Sequence, residues 1–125
     1  GSVGSVMLLD EEKKELSIHA ARGLPQEVVR TSVVKLGEGI AGLAAQTKRS
    51  FLINQDASDE LISGRLKRPH LFSSLVVPIK CHDDVYGVVN VSSDASNPVR
   101  FDTSSLSFVT KAAGLAGVAL ARLKD

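Results

Sequence analysis

Lys35-Leu36-Gly37-Glu38-Gly39-Ile40-Ala41-Gly42-Leu43-Ala44-Ala45-Gln46 is the stretch that organises the chain. The β-branched pair Val33-Val34 leads into three glycines. A small-residue helix is predicted from about Ile40 to Lys48, followed at once by an extended run from Ser50 to Ile53. Glycines at 37 and 39 permit φ > 0 and a sharp reversal. The first turn of the helix leaves N–H groups without helical partners, at the positive end of its dipole. The stretch can therefore turn the chain tightly, and it can offer a polar cradle to an anion or a carbonyl.

Outward from there, the pattern is strand-rich. Val6 to Leu9 and Leu16 to Ala20 read as a hairpin around the polar turn Asp10–Lys14. Pro25 suits the first turn of a short helix over 25–31. Residues 54–59 read as a loop, and Asp59 as the cap of a helix to about Lys67 that Pro69 stops. Ser74 to Lys80 is a strand, with Pro78 marking an edge or bulge. Cys81-His82-Asp83-Asp84 is a tight turn and Val85 to Val91 the return strand. A loop over 92–100 leads to Asp102, the cap of a helix over 103–123. On that helix Leu106, Val109, Ala113, Ala116, Leu120 and Leu123 share an arc with Phe108, Ala112, Leu115 and Ala119. This arc covers about half the circumference, wider than the roughly 100° one core contact needs.

The 125 residues make one domain, 1–125, with 1–4 as a cloning remnant or truncated segment. A chain of this size buries roughly two-thirds of its unfolded surface. Hydrophobic content of 43% and charge content of 23% are those of a globular domain. The net charge of +1 and 4% aromatics argue against a nucleic-acid partner. No stretch reads as a membrane span or signal peptide, and the single cysteine, Cys81, fits a reducing, cytoplasmic compartment.

Three pieces stand in a characteristic order: Gly37-x-Gly39-Ile40-Ala41-Gly42, then Ser73 to Ile79, then Val85-Tyr86-Gly87-Val88-Val89-Asn90-Val91. With the closing Phe101-Asp102 and the Ala/Leu helix, the chain resembles a GAF domain from about Val6 to Leu123. The resemblance implies an α+β fold of three α/β/α layers. It has a central antiparallel sheet of five or six strands. A long C-terminal helix lies on one face, with short helices and loops over the other. Such domains usually carry a helix before the first strand; the chain starts almost on that strand, which would leave one sheet face partly uncovered.

Several constellations compete with plain structure. Gly37, Gly39 and Gly42 match G-x-G-x-x-G, with Asp56 where a ribose-binding acid would sit. A dinucleotide site also needs a long buried strand before the glycines and βαβ units after them, and neither is present. Cys81-His82 lies at a hairpin turn, after the Pro78 strand, whereas the tetrapyrrole attachment site of phytochrome-like relatives precedes that strand. One cysteine with His19, His70 and His82 does not supply a zinc site. Asn97 and Phe101-Asp102 resemble part of the N-K-F-D-E motif of cyclic-nucleotide-binding members, but Pro98, Ser104 and Ser105 depart from it. No nucleophile–base motif, Walker loop or paired carboxylate is found, so no catalytic residue, metal or cofactor is expected.

The resemblance implies a regulatory sensor module of a larger signalling protein. It would bind a small molecule between the sheet and residues 37–73 and relay it through the last helix. The lining is expected from Gly39, Ile40 and Ala41, from Asn54 and Asp56, from Arg65, Arg68 and His70, and from Ser73 and Ser74. An anionic ligand is favoured if Arg65, Arg68 and the N–H groups near Gly39 converge. Apolar residues are sparse over 54–73, which suggests a lid of low local stability. Homodimerisation is expected through Leu115, Ala116, Ala119, Leu120 and Leu123, with an output domain elsewhere in the parent protein. The alternative is a ligand-free dimerisation module.

Overall fold

Asp10 turns the chain into its first hairpin. Its carbonyl accepts from Lys13 N–H (3.0 Å) and its Oδ1 from Lys14 N–H (2.9 Å), while Lys13 takes a left-handed φ of +59°. Strands β1 (Val3–Leu9) and β2 (Glu15–Arg22) leave this turn antiparallel. A short helix α1 (Gln26–Thr31) and strand β3 (Val33–Lys35) lead to α2 (Gly39–Thr47). Then come β4 (Phe51–Asn54), β5 (Leu71–Cys81), β6 (Asp84–Asp94) and α3 (Thr103–Lys124). The structure, a computed structural model, describes residues 3–54, 71–94, 96 and 98–124. The expected helix over 59–67 and the middle of the expected lid over 54–73 fall on 55–70, outside the described residues; the ends of that lid, 54 and 71–73, lie in β4 and β5.

The six strands form one sheet in the order β3-β2-β1-β6-β5-β4, every pair antiparallel. Alternation of side chains gives the sheet two apolar faces. On one, Met7, Leu16, Phe51, Ile53, Val76 and Val88 pack with Leu43, Ala44 and Ala45 of α2. On the other, Val77 and Ile79, with Val6, Leu8 and Val89, pack against Leu106, Val109, Ala113, Ala116 and Leu120 of α3. The result is the expected stack of helix, sheet and helix. Beside α3, on its face of the sheet, Val6, Ala20, Val89 and Val91 line an open apolar depression of about 350 Å³.

Some boundaries differ from the sequence reading. Strands β5 and β6 start earlier and end later, because the turn at His82-Asp83 fixes a register that carries the ladder out to Leu71↔Asp94. Asn54 therefore belongs to β4, paired with Ser73, and not to a loop. Pro78 sits in an interior strand, but β4 stops pairing at Val76 and a register shift follows at Ile79/Lys80. Helix α3 meets the length and composition of a membrane span, at mean hydropathy 1.4, which the sequence reading did not allow. Only 11% of that window is buried, and the buried part lies on the sheet.

Candidate functional site

The glycine stretch builds the start of α2. Glu38 N–H donates to Lys35 O (2.8 Å), Leu36 N–H to Lys14 O (2.8 Å) and Gly37 N–H to Gly42 O (2.9 Å). Gly37 and Gly39 take φ of +87° and +62°, the left-handed region where a side chain is strained. A Cβ at Gly42 would stand 2.4 Å from Lys35 O, so α2 rests directly on its own lead-in turn. The Glu38 side chain makes no capping bond, and no acidic residue stands in the first turn of α2. The positive end of α2 is thus not covered by a carboxylate of its own first turn. Ile40 and Ala41 lie beside it, partly buried against the core.

The floor of the same face carries polar groups in an apolar layer. Ser74 pairs with Ile53 on one side and with Ser92 on the other, and the two serines are 7% and 6% exposed. Two residues along β6, Asn90 Nδ2 donates to Ser5 Oγ at 3.4 Å. Ser5, Asn90, Ser92 and Ser74 therefore share the α2 face of β1, β6 and β5.

Asn54 and Ser73 lie elsewhere. Alternation puts them on the α3 face, where Ser73 Oγ donates to Asn54 Oδ1 (2.8 Å) and accepts from Phe101 N–H (3.0 Å). Ser73 is fully buried. The structure thus brings Asn54 and Ser73 together, but across the sheet from Gly39, Ile40, Ala41 and Ser74. Asp56, Arg65, Arg68 and His70 lie outside the described residues. Of the expected interface residues, Leu115 and Leu123 are 75% and 81% exposed and Ala119 is exposed, while Ala116 and Leu120 pack inward on the sheet. Sequence reasoning missed Ser5, Asn90, Ser92 and Ser93. Counting pairs outward from the His82-Asp83 turn sets 91 and 92 opposite 74 and 73, one residue out, because the register shifts at Ile79/Lys80.

Little else in the described residues gathers chemistry. No group of three His, Cys, Asp or Glu there could hold a metal ion. Cys81 is a half-buried free thiol at the end of β5. The Ser105 N–H, and then its hydroxyl, hold the Asp102 carboxyl below its ordinary 3.8.

Comparison with known proteins agrees with this architecture. The chain is 27% identical over 117 residues to the Nif-specific regulatory protein of Herbaspirillum seropedicae, matching 90% of this chain and 22% of that one. It thus spans about a fifth of that relative's length. The GAF domain of an Acinetobacter phosphoenolpyruvate-protein phosphotransferase superposes with a TM-score of 0.78 at 26% identity, over 96% of this chain and 70% of that one. The type II free methionine-R-sulfoxide reductase of Thermoplasma acidophilum shares the fold, with a TM-score of 0.69 at 19% identity over 90% and 74% of the chains. The GAF domain family model matches residues 1–121. The six-stranded antiparallel sheet and C-terminal helix match GAF domain structures, and the chain belongs to the GAF domain family.

Proposed function

We propose that this GAF domain is the sensor module of a larger cytoplasmic regulatory protein, binding a small molecule on the α2 face of the sheet. The observation that carries the reading is the pair Ser74 and Ser92, side by side on adjacent strands in the otherwise apolar layer of the α2 face. A few placed polar groups in an apolar lining are what a small-molecule site offers. Gly39, Ile40 and Ala41 supply N–H groups and an apolar edge at the start of α2, and Asp56, Arg65, Arg68 and His70 are proposed to complete the lining. Asn54 and Ser73, held on the other face, belong to the route out of the site. The signal leaves through α3, which pairs with a second copy and leads to an output domain. The match to a Nif-specific regulatory protein supports the regulatory setting.

Native mass spectrometry of the purified domain tests the binding claim. A small molecule retained by the wild type and lost in Ser74→Val is the expected result. A domain that retains nothing, and whose melting temperature no metabolite raises, refutes it. In that case the ligand-free dimerisation module stands, which the exposed apolar side of α3 favours. The domain is also proposed to have no chemistry of its own. Turnover of free methionine sulfoxide or a cyclic nucleotide, abolished by Cys81→Ser, would overturn that.

A further inference from the structure

Four side chains make up the buried polar set among the described residues: Ser73, Ser74, Ser92 and Ser93. They form a two-by-two block, Ser73 opposite Ser93 and Ser74 opposite Ser92 on the adjacent strands β5 and β6. Because side chains alternate, Ser74 and Ser92 face α2 while Ser73 and Ser93 face α3. On the α3 side both hydroxyls grip the segment that enters α3. Ser93 Oγ donates to Val99 O (2.5 Å), and Ser73 Oγ accepts from Phe101 N–H (3.0 Å). Asp102, the next residue, starts the helix, with Leu106 N–H donating to its carbonyl (3.0 Å). Ser73 also donates to Asn54 Oδ1, tying β4 into the same chain of hydrogen bonds.

The block stands at the last regular pairs of the ladder, and the register shifts just beyond it, between Leu71 and Ser73. We propose that the serine block is a through-sheet coupling. Ser74 and Ser92 sense occupancy of the α2 face, and Ser73 is the positioning residue that passes the displacement to the entry of α3. The proposal rests on the sensor reading above and adds the route by which the site is heard. A simple packing role does not call for hydroxyls on both faces, since apolar residues fill such positions without needing partners.

Amide hydrogen exchange on the whole domain tests the coupling without any ligand. Ser74→Thr adds one methyl on the α2 face as a steric stand-in for an occupant. It is expected to change exchange at Phe101 and the first turn of α3 by about tenfold, leaving Val88 and Val89 at the sheet centre unchanged. In a Ser73→Ala background the same substitution is expected to shift Phe101 by less than about twofold. Should Ser74→Thr fail to fold, Ser92→Thr on the same face takes its place. An unchanged Phe101 in both threonine variants overturns the coupling. So does an equal change with and without the Ser73 hydroxyl, because the path then runs elsewhere. Native mass spectrometry separates the two ideas. A retained ligand with no coupling sinks the route alone, and coupling with no retained ligand sinks the sensor reading alone.

Discussion

At Asp102 one carboxylate fixes where a 22-residue helix begins. Its Oδ1 accepts from Ser105 N–H (2.9 Å) and from Ser105 Oγ (3.0 Å), and Ser105 Oγ accepts in return from Asp102 N–H (3.3 Å). These are the reciprocal bonds of a capping box, with serine in the third position. They favour the charged carboxyl, so its folded pKa lies below 3.8. The sign follows from linkage. A depressed acid contributes stability above its unfolded pKa and loses it as pH falls through the folded one. Protection of the Ser105 and Leu106 amides, taken against their intrinsic exchange at each pH, should therefore hold steady from neutral pH to about 4. It should fall, relative to the rest of α3, below 3.8. In Asp102→Ala the same amides should exchange fast throughout, and a wild-type profile without an acid step would contradict the assignment. This cap was legible in the sequence because capping chemistry is local. The glycine stretch was legible for the same reason: the positive φ at Gly37 and Gly39 and the contact at Gly42 are demands of neighbouring backbone.

Among elements, α3 separates what a helical wheel can show from what it cannot. The wheel gave an apolar arc of half the circumference, but not the part of it that meets the sheet. Gly117 decides that part. A Cβ there would lie 2.2 Å from Lys80 O, so the helix backbone rests on β5 at this residue. Ala113, Ala116 and Leu120 consequently turn inward, while Phe108, Leu115 and Leu123 turn out at 69%, 75% and 81% exposed. Gly117→Ala must push α3 off the strand or bend it, with an expected loss of about 1–3 kcal/mol. Gly114, one turn earlier, has nothing within 4 Å of its would-be Cβ. Gly114→Ala should instead stabilise by about 0.5–1 kcal/mol through helix propensity. Urea midpoints moving in opposite directions would bear out both, and equal shifts would show that Lys80 is not the contact. Strands were legible where β-branched residues alternate, as in Val85 to Val91. The continuation through Ser92 and Ser93 was not, because serine resembles loop sequence and only pairing with β5 keeps these residues extended.

For the whole molecule, the sheet separates the glycine-built start of α2 on one side from the exposed back of α3 on the other. The fold class could be read because three motifs stand in order along the chain. The candidate site could be read only by zone, since the face each residue takes depends on registers that sequence does not print; Ser73 and Ser74 are neighbours that look in opposite directions. The apolar side of α3 has a consequence for the free domain. Phe108, Leu115, Val118 and Leu123 leave large apolar groups in water along a helix of about 33 Å. Ala112 and Ala119, between them, permit close approach of a second helix. Pairing through this side would remove these groups from water, at roughly 25 cal/mol per Å² of apolar area buried. Sedimentation at high micromolar concentration should accordingly show a dimer. Leu115→Glu should weaken it by tenfold or more, on the order of 1.4 kcal/mol, by placing a charge at the centre of the strip. Because Leu115 is 75% exposed, the same substitution should leave domain stability within about 0.5 kcal/mol. A wild-type domain that stays monomeric at these concentrations, or a Leu115→Glu variant that dimerises like the wild type, would remove α3 as the pairing surface.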